Sequence, residues 1–411
     1  MRRLIFWVAS MSIGMTYLGF PVLTILRARL VRRPYAIADI TPAVSVIIAA
    51  HNEEAVIGPR IENLLALDYP VDRIEVVIVS DGSTDGTDAI VASFAERGIT
   101  LVAPGRVGKG AALGLGVAAS SGEILVFSDA NSTYRPDAIR ALVRPFADPA
   151  VGGVAGNQVY SDGGEIDGTA TIERGYWDFD RRIKRAQSES GSVTSGTGAI
   201  YAIRRAIFEP IPEGVTDDML NTTRVVDHGL RLVFAEDAVA FEPVAPSNEL
   251  EFGRKVRIMT RSFRCLIVMR RLFDPRRTGT YAFQLLWHKV LLRTAVLPLI
   301  ALAVVSPLLW QRGRVYRLAT VGQAVSYLLA GAGLAFARHP RGRSKALAVP
   351  AYFTMVNVAS LLALRNLVRG ARIDRWEPRR TGTGAARPVR KAMPGHRDAD
   401  EPGEHDSPGI L

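Results

Sequence analysis

The stretches VSVIIAAHNEE (44–54) and IEVVIVSDGSTDGT (74–87) decide the fold. In each, a short run of β-branched and apolar residues breaks into polar, carboxylate-bearing sequence. Apolar residues then recur at helical spacing, as at Ile57, Ile61, Leu64 and Leu65. A strand too uniformly apolar to have a wet face, followed by an amphipathic helix, is the repeating unit of a sheet covered on both sides. Ile99–Ala103 and Ile124–Ser128 read as two more strands, with helices expected over Ser83–Arg97 and Lys109–Ala119. The expected class is α/β, a doubly wound and largely parallel sheet between Val44 and Gly156, whose ligands bind beyond the carboxyl ends of the strands.

Chemistry is concentrated at those ends. Asn52 and Glu53 follow the first strand, Asp81-Gly82-Ser83 the second and Asp129-Ala130-Asn131 the fourth. A single aspartate after a strand is ordinarily a helix N-cap, but recurrence at several strand ends points to one shared site. No Gly-x-Gly-x-x-Gly follows the first strand and no Walker lysine motif occurs, which argues against a dinucleotide dehydrogenase and a P-loop NTPase. The acidic cluster suits a nucleotide whose pyrophosphate is bridged by a hard cation. Asp129 and Asn131, two oxygen donors one residue apart, are the candidate ligands for Mg2+ or Mn2+. Lys109, in Gly108-Lys109-Gly110, opens a helix near the same edge, where it is either a phosphate contact or a solvated lysine in a glycine turn. Further along stand Ser195-Gly196-Thr197-Gly198, the pair Asp217 and Asp218, and Arg254 with Arg257. Adjacent carboxylates raise one another's pKa toward the range of a general base; a solvated acidic turn is the plain alternative. For the arginines the plain alternative is a basic amphipathic helix on a membrane surface.

The chain has 411 residues, 48% of them hydrophobic and 22% charged, which excludes a disordered or fibrous protein. A mean hydropathy of +0.13 places the apolar residues in blocks. Leu4 to Leu26 carries no charge and covers a hydrocarbon core of about 30 Å; Arg2 and Arg3 precede it, and Arg27, Arg29, Arg32 and Arg33 come after it. This reads as an uncleaved anchor rather than a signal peptide, with the chain beyond the arginines in the cytoplasm. Thr294–Trp310, Leu318–Ala337 and Ala346–Leu364 are three further candidate spans. Strict alternation would put the arginine-rich stretch Arg365 to Arg380 outside, so one of the three is expected to be re-entrant or interfacial. The net charge of +11 crowds beside these blocks, a juxtamembrane pattern, and nucleic acid is not expected as a partner. The one cysteine, Cys265, rules out a disulfide framework and a thiolate metal site.

The ordered set HNEE (51–54), SDGSTDGT (80–87), GKGAAL (108–113), SDAN (128–131), SGTGAIYAIRR (195–205), TDDML (216–220) and RKVRI (254–258) resembles the family 2 glycosyltransferases. The likeness is to the membrane-bound bacterial synthases related to those of chitin oligosaccharide, hyaluronan, cellulose and poly-N-acetylglucosamine. It implies the GT-A fold, a nucleotide-sugar donor (usually a UDP-sugar), Mg2+ or Mn2+, and transfer with inversion. By motif position it implies Asn52, Glu53 and Asp81 at the nucleoside and Lys109 near the nucleotide. Asp129 and Asn131 would hold the metal, and Gly196, Thr197 and Gly198 would line the donor-sugar and acceptor site. Asp218, with Asp217 beside it, would be the base. Arg254 would join the donor site, and Arg257 would neutralise the departing diphosphate. Two positions depart from the family pattern. Asn131 stands for the second aspartate of Asp-x-Asp, and Ile258 for the tryptophan of Gln/Arg-x-x-Arg-Trp, which leaves long-chain processive synthesis open.

The expected organisation is an anchor and basic flank at 1–33, a cytoplasmic catalytic domain at 40–280, a transmembrane region at 281–368 and a disordered tail at 369–411. The expected partners are the donor, a glycan or lipid-linked acceptor and the inner (plasma) membrane; protein partners of polysaccharide export stay unnamed. The rival reading, a catalytically silent scaffold of an export complex, sits poorly with the presence of Asp81, Asp129 and Asp218.

Overall fold

The structure, a computed structural model, describes residues 1–161, 168–243, 248–336 and 344–371. Arg338, Arg341, Arg343 and the expected tail from Thr381 lie outside the described residues.

Strand β1 (Val44–Ala50) is buried along its whole length, as a seven-residue run without a polar face must be. It pairs in parallel with β2 (Ile74–Ser80) on one side and β4 (Ile124–Asp129) on the other, and β2 pairs in parallel with β3 (Ile99–Val102). The helices that return the chain cover both faces. Ile57, Ile61 and Leu64 of the helix Glu54–Leu65 pack on one face, and Ala112, Leu113 and Val117 of Lys109–Ala118 on the other. Because all these connections run the same way, the carboxyl ends of β1, β2 and β4 line up at one edge.

The second half of the sheet is mixed. It comprises β5 (Thr133–Tyr134), β6 (Val151–Ser161), β7 (Tyr201–Arg204) and β8 (Arg231–Pro243), and the full order is β3-β2-β1-β4-β7-β6-β8-β5. Strand β7 runs antiparallel to β4 and β6, while β6 and β8 are parallel. The joint between the halves is held by Phe127 stacked on Tyr201 at 5.0 Å, both almost fully buried. Antiparallel insertion of β7 brings the loop before it, residues 195–198, to the end of β4.

Three helices are long and apolar enough to cross a membrane: Arg2–Leu30, Arg314–Ala335 and Lys345–Val368. The block expected over Thr294–Trp310 is not a plain span. Helix Val296–Leu308 has 13 residues, about 20 Å at ~1.5 Å per residue, and meets Thr280–Thr294 at 53°, a broken span or a re-entrant loop. Leu18, Leu318 and Leu328 are each more than 70% exposed, an outward apolar face that lipid stabilises and water does not. Helix Asn248–Val268 ties the sheet to these segments: Arg264 Nη2 donates to Ala371 O at 2.6 Å, while Phe263 and Leu266 pack with Met219 and Leu220.

Candidate active site

The centre of the site is a lysine between two aspartates. Lys109, at the first position of its helix, reaches Asp129 Oδ1 at 2.7 Å and Asp217 Oδ2 at 3.2 Å. Burial alone would pull its pKa down, but Asp129 and Asp217 outweigh burial and the net shift is upward, so the ammonium stays charged. Asp129 ends β4, and its N–H donates to Gly198 O at 3.0 Å. A Cβ on Gly198 would stand 2.6 Å from Asp129 Oδ2, so only glycine lets the loop approach this carboxylate. Gly198→Ala is expected to displace the carboxylate and cost about 1–3 kcal/mol, read as a lower Tm; a variant as stable as wild type would contradict that close approach.

Asp217 and Asp218 open the helix Asp217–Asp227. Asp217 turns to Lys109, whereas Asp218 Oδ1 accepts from Met219 N at 2.7 Å. Burial, reinforced by Asp217, raises Asp218 to about 6, against the pull of Lys109. Gly196 N donates to Thr222 Oγ1 of the same helix at 3.0 Å, which fixes the 195–198 loop against it. Thr197 is buried between them in sequence.

At the end of β2, buried Asp81 organises the turn that delivers Lys109. Its Oδ1 accepts from Val107 N and Gly108 N, both at 2.7 Å, and its Oδ2 accepts from Arg106 Nη1 at 3.0 Å. Gly108 has φ +89°, a conformation glycine adopts without strain. Asn52 has φ 53°, and its Oδ1 accepts from Thr84 N at 2.8 Å, clamping the loops after β1 and β2 together. Glu53 is buried beside it, its N–H donating to a side chain: Thr87 Oγ1 lies 2.9 Å away.

Arg254 and Arg257 come from helix Asn248–Val268. Arg254 pairs with Glu251 at 3.0 Å and donates to Tyr160 Oη at 3.3 Å. Arg257 is part-buried and makes no ion pair among the described residues. Burial and then Arg261 and Arg254 lower its pKa, while Asp129 draws it back up. The structure thus brings Lys109, Asp129, Asp217 and Asp218 together, with Arg257 near enough to Asp129 to feel its charge. Asn131 lies two residues beyond Asp129, part-buried. Among the described residues no three His, Cys, Asp or Glu side chains are grouped to hold a metal by themselves. One carboxylate and one amide oxygen nevertheless fit Mg2+ or Mn2+, hard cations that take the rest of their shell from phosphate and water.

Sequence reasoning missed Arg106 and Glu242. Glu242 is buried near the end of β8, accepts from Gln158 Nε2 at 2.5 Å and Ser132 Oγ at 3.3 Å, and is pushed up to about 7 by burial and then Asp129. Gln158 on β6 and Glu242 on β8 are polar residues beside apolar ones such as Val159 and Phe241, which is the signal that could have found them.

The model of the family described as Glycosyl transferase family 2 matches residues 45–211, the segment holding Asp81, Lys109, Asp129 and the 195–198 loop. The "Probable glycosyltransferase YdaM" of Bacillus subtilis is 31% identical over 217 residues, 49% of this chain and 50% of that protein. The beta-monoglucosyldiacylglycerol synthase of Synechocystis sp. is 40% identical over 116 residues, 27% of this chain and 24% of that protein. The chain therefore spans half or less of the length of these relatives. Among solved structures, the mannosyltransferase PcManGT of Pyrobaculum calidifontis, in complex with GDP-Man and Mn2+, is similar at a TM-score of 0.67 and 24% identity. That likeness covers 89% of this chain and 99% of the other and shows a common fold, the GT-A arrangement of mixed sheet and flanking helices. The motif order read from the sequence and the family match agree over this part of the chain: residues 45–211 are similar to glycosyl transferase family 2.

Proposed function

We propose that the protein moves a sugar, with inversion, from a nucleotide-sugar donor to a glycan or lipid-linked acceptor at the cytoplasmic face of the inner membrane, with Mg2+ or Mn2+ bound. The observation that carries this reading is Lys109 held between Asp129 and Asp217, with Asp218 beside them at the carboxyl edge of the sheet. Inversion needs a base on one side of the anomeric carbon and positive charge on the other. Asp218, raised by burial, takes the proton of the attacking acceptor hydroxyl. Lys109 and Arg257 face the developing charge of the diphosphate, and Asn52, Glu53 and Asp81 hold the loops that receive the nucleoside. Asp129 and Asn131 would hold the metal, which when bound supplies further positive charge to the diphosphate oxygens.

The cytoplasmic side is argued from the foot of the first helix. Arg27 Nη2 donates to Ser190 O at 3.0 Å and Arg33 N to Glu189 O at 2.8 Å, so the catalytic region lies on the side of the Arg27–Arg33 cluster. The UDP-sugar preference rests on the family resemblance.

Membranes carrying the protein, screened with radiolabelled UDP- and GDP-sugars, are expected to transfer label only with Mg2+ or Mn2+. Full transfer in excess EDTA, or none from any donor, would count against the reading. Asn131→Asp is expected to tighten Mn2+ binding by adding a ligand charge; an unchanged Mn2+ titration would remove Asn131 from the metal site. Product length decides processivity, for which Ile258, 41% exposed, replaces the family's tryptophan.

A further inference from the structure

Helix Glu54–Leu65 faces the sheet with Ile57, Ile61 and Leu64, a spacing that calls for a fourth apolar residue at position 60. Arginine stands there instead, 3% exposed. Its contacts are with neutral groups. Arg60 Nη2 donates to Ser128 Oγ at 2.8 Å and Nη1 to Asn63 Oδ1 at 2.7 Å, and Cζ lies 4.1 Å from the centre of the Tyr134 ring. Burial lowers the pKa of Arg60, with Tyr134 and then Asp129 opposing it. A charge kept in such a place at the cost of its hydration needs a reason.

The contacts bracket one turn. Ser128 and Tyr134 stand on either side of the stretch that carries both candidate metal ligands, Asp129 and Asn131. On the near side Ser128 Oγ donates to Ala199 O at 3.0 Å, and Asp129 N donates to Gly198 O at 3.0 Å, so two consecutive residues join the end of β4 to the 195–198 loop. On the far side Tyr134 N donates to Asn63 Oδ1 at 2.8 Å and Asn63 Nδ2 donates to Tyr134 O at 2.9 Å. Arg60 touches both ends of the turn.

Packing alone does not require an arginine. Without it Ser128 keeps its bond to Ala199 O and Asn63 keeps both bonds to Tyr134, and an apolar side chain of similar length fills the space without burying a charge. What the guanidinium adds is rigidity: its two Nη atoms lie in one plane at a fixed separation and tie the two ends of the turn together.

We propose that Arg60 is a positioning residue of the transferase, setting the turn from Asp129 to Asn131 at the geometry a divalent cation needs while touching neither cation nor sugar. This deepens the transferase reading and rests on Asp129 and Asn131 as the metal ligands. Mg2+ and Mn2+ tolerate little displacement of their oxygen ligands, and a residue that orients a ligand from behind typically carries about 10–100-fold of metal affinity.

The test titrates the purified full chain with UDP and with GDP, in Mn2+ and in EDTA, and reads the affinity that the tighter-binding nucleotide gains from Mn2+. Arg60→Met is expected to bind that nucleotide as wild type does in EDTA and to lose about tenfold of the gain in Mn2+. Ser128→Ala, a smaller change, removes the acceptor from the other side and is expected to lose about threefold or more. The double variant loses no more than Arg60→Met, because the two residues act through one bond. Ile61→Val, from the same helix face, lowers Tm and keeps the full gain. A wild-type Mn2+ gain in Arg60→Met overturns the proposal; if Arg60→Met does not fold, the same result in Ser128→Ala overturns it. An equal loss in EDTA and in Mn2+ also overturns it, because that is what a merely structural role produces. If wild type gains from Mn2+ and the variants gain as much, this inference fails and the transferase reading stands. If wild type itself gains nothing, the metal reading fails and this inference falls with it.

Discussion

Asp218→Asn is expected to lower kcat by ~10²–10⁴-fold with little change in nucleotide affinity, because the general base proposed for Asp218 acts on the acceptor's proton and not on the bound nucleotide. The substitution keeps the shape of the side chain and its hydrogen bond to Met219 N, so the helix start survives. The pH profile gives an independent reading. Asp218 must be deprotonated to act, and burial with Asp217 raises it to about 6, so activity rises with pH through that region and falls away below it. Asp217→Asn removes the neighbouring negative charge and moves this acidic limb to lower pH, with a smaller loss in kcat. Near wild-type transfer by Asp218→Asn with a large loss in Asp217→Asn would reverse the two roles, and normal transfer by both would remove the base from the mechanism.

Lys109→Met has the largest expected effect on stability. The ammonium lies 2.7 Å from part-buried Asp129 and 3.2 Å from buried Asp217, and its removal takes from both carboxylates the cation they share. Breaking a buried pair in this way costs roughly 3 kcal/mol or more, a fall in Tm of about 6–12 °C. Mn2+ restores part of it if Asp129 is a metal ligand, since a cation then returns to the same carboxylate. A Tm equal to wild type in EDTA at neutral pH would show that Lys109 does not hold these groups together.

Much of the catalytic edge was legible in the sequence because its strands are short and uniformly apolar. β1 and β2 begin and end where the VSVIIAA and IEVVIVS runs do, and β4 extends one residue further, to Asp129 itself. Polar residues placed directly after such runs can only lie at the ligand edge. The second half was not legible. β6 reads VGGVAGNQVYS, where glycines and two buried amides blur any period, and β7 has only four residues. Their pairing is set by contacts distant in sequence, so the ion pair of Lys109 with Asp217 and the burial of Glu242 beside Gln158 could not be read locally. The same holds at the membrane. Thr294–Trp310 is apolar enough to suggest one span, and nothing in its composition announces the 53° bend at its start.

The central claim is that Asp129 and Lys109 form the diphosphate site of a metal-dependent transferase. Calorimetric titration of the purified full chain with UDP and with GDP, in Mn2+ and in EDTA, tests it most directly. One of the two nucleotides is expected to bind at least about tenfold tighter with Mn2+, and Asp129→Asn to abolish that difference. Equal binding in Mn2+ and EDTA, or an undiminished metal effect in Asp129→Asn, would contradict the account.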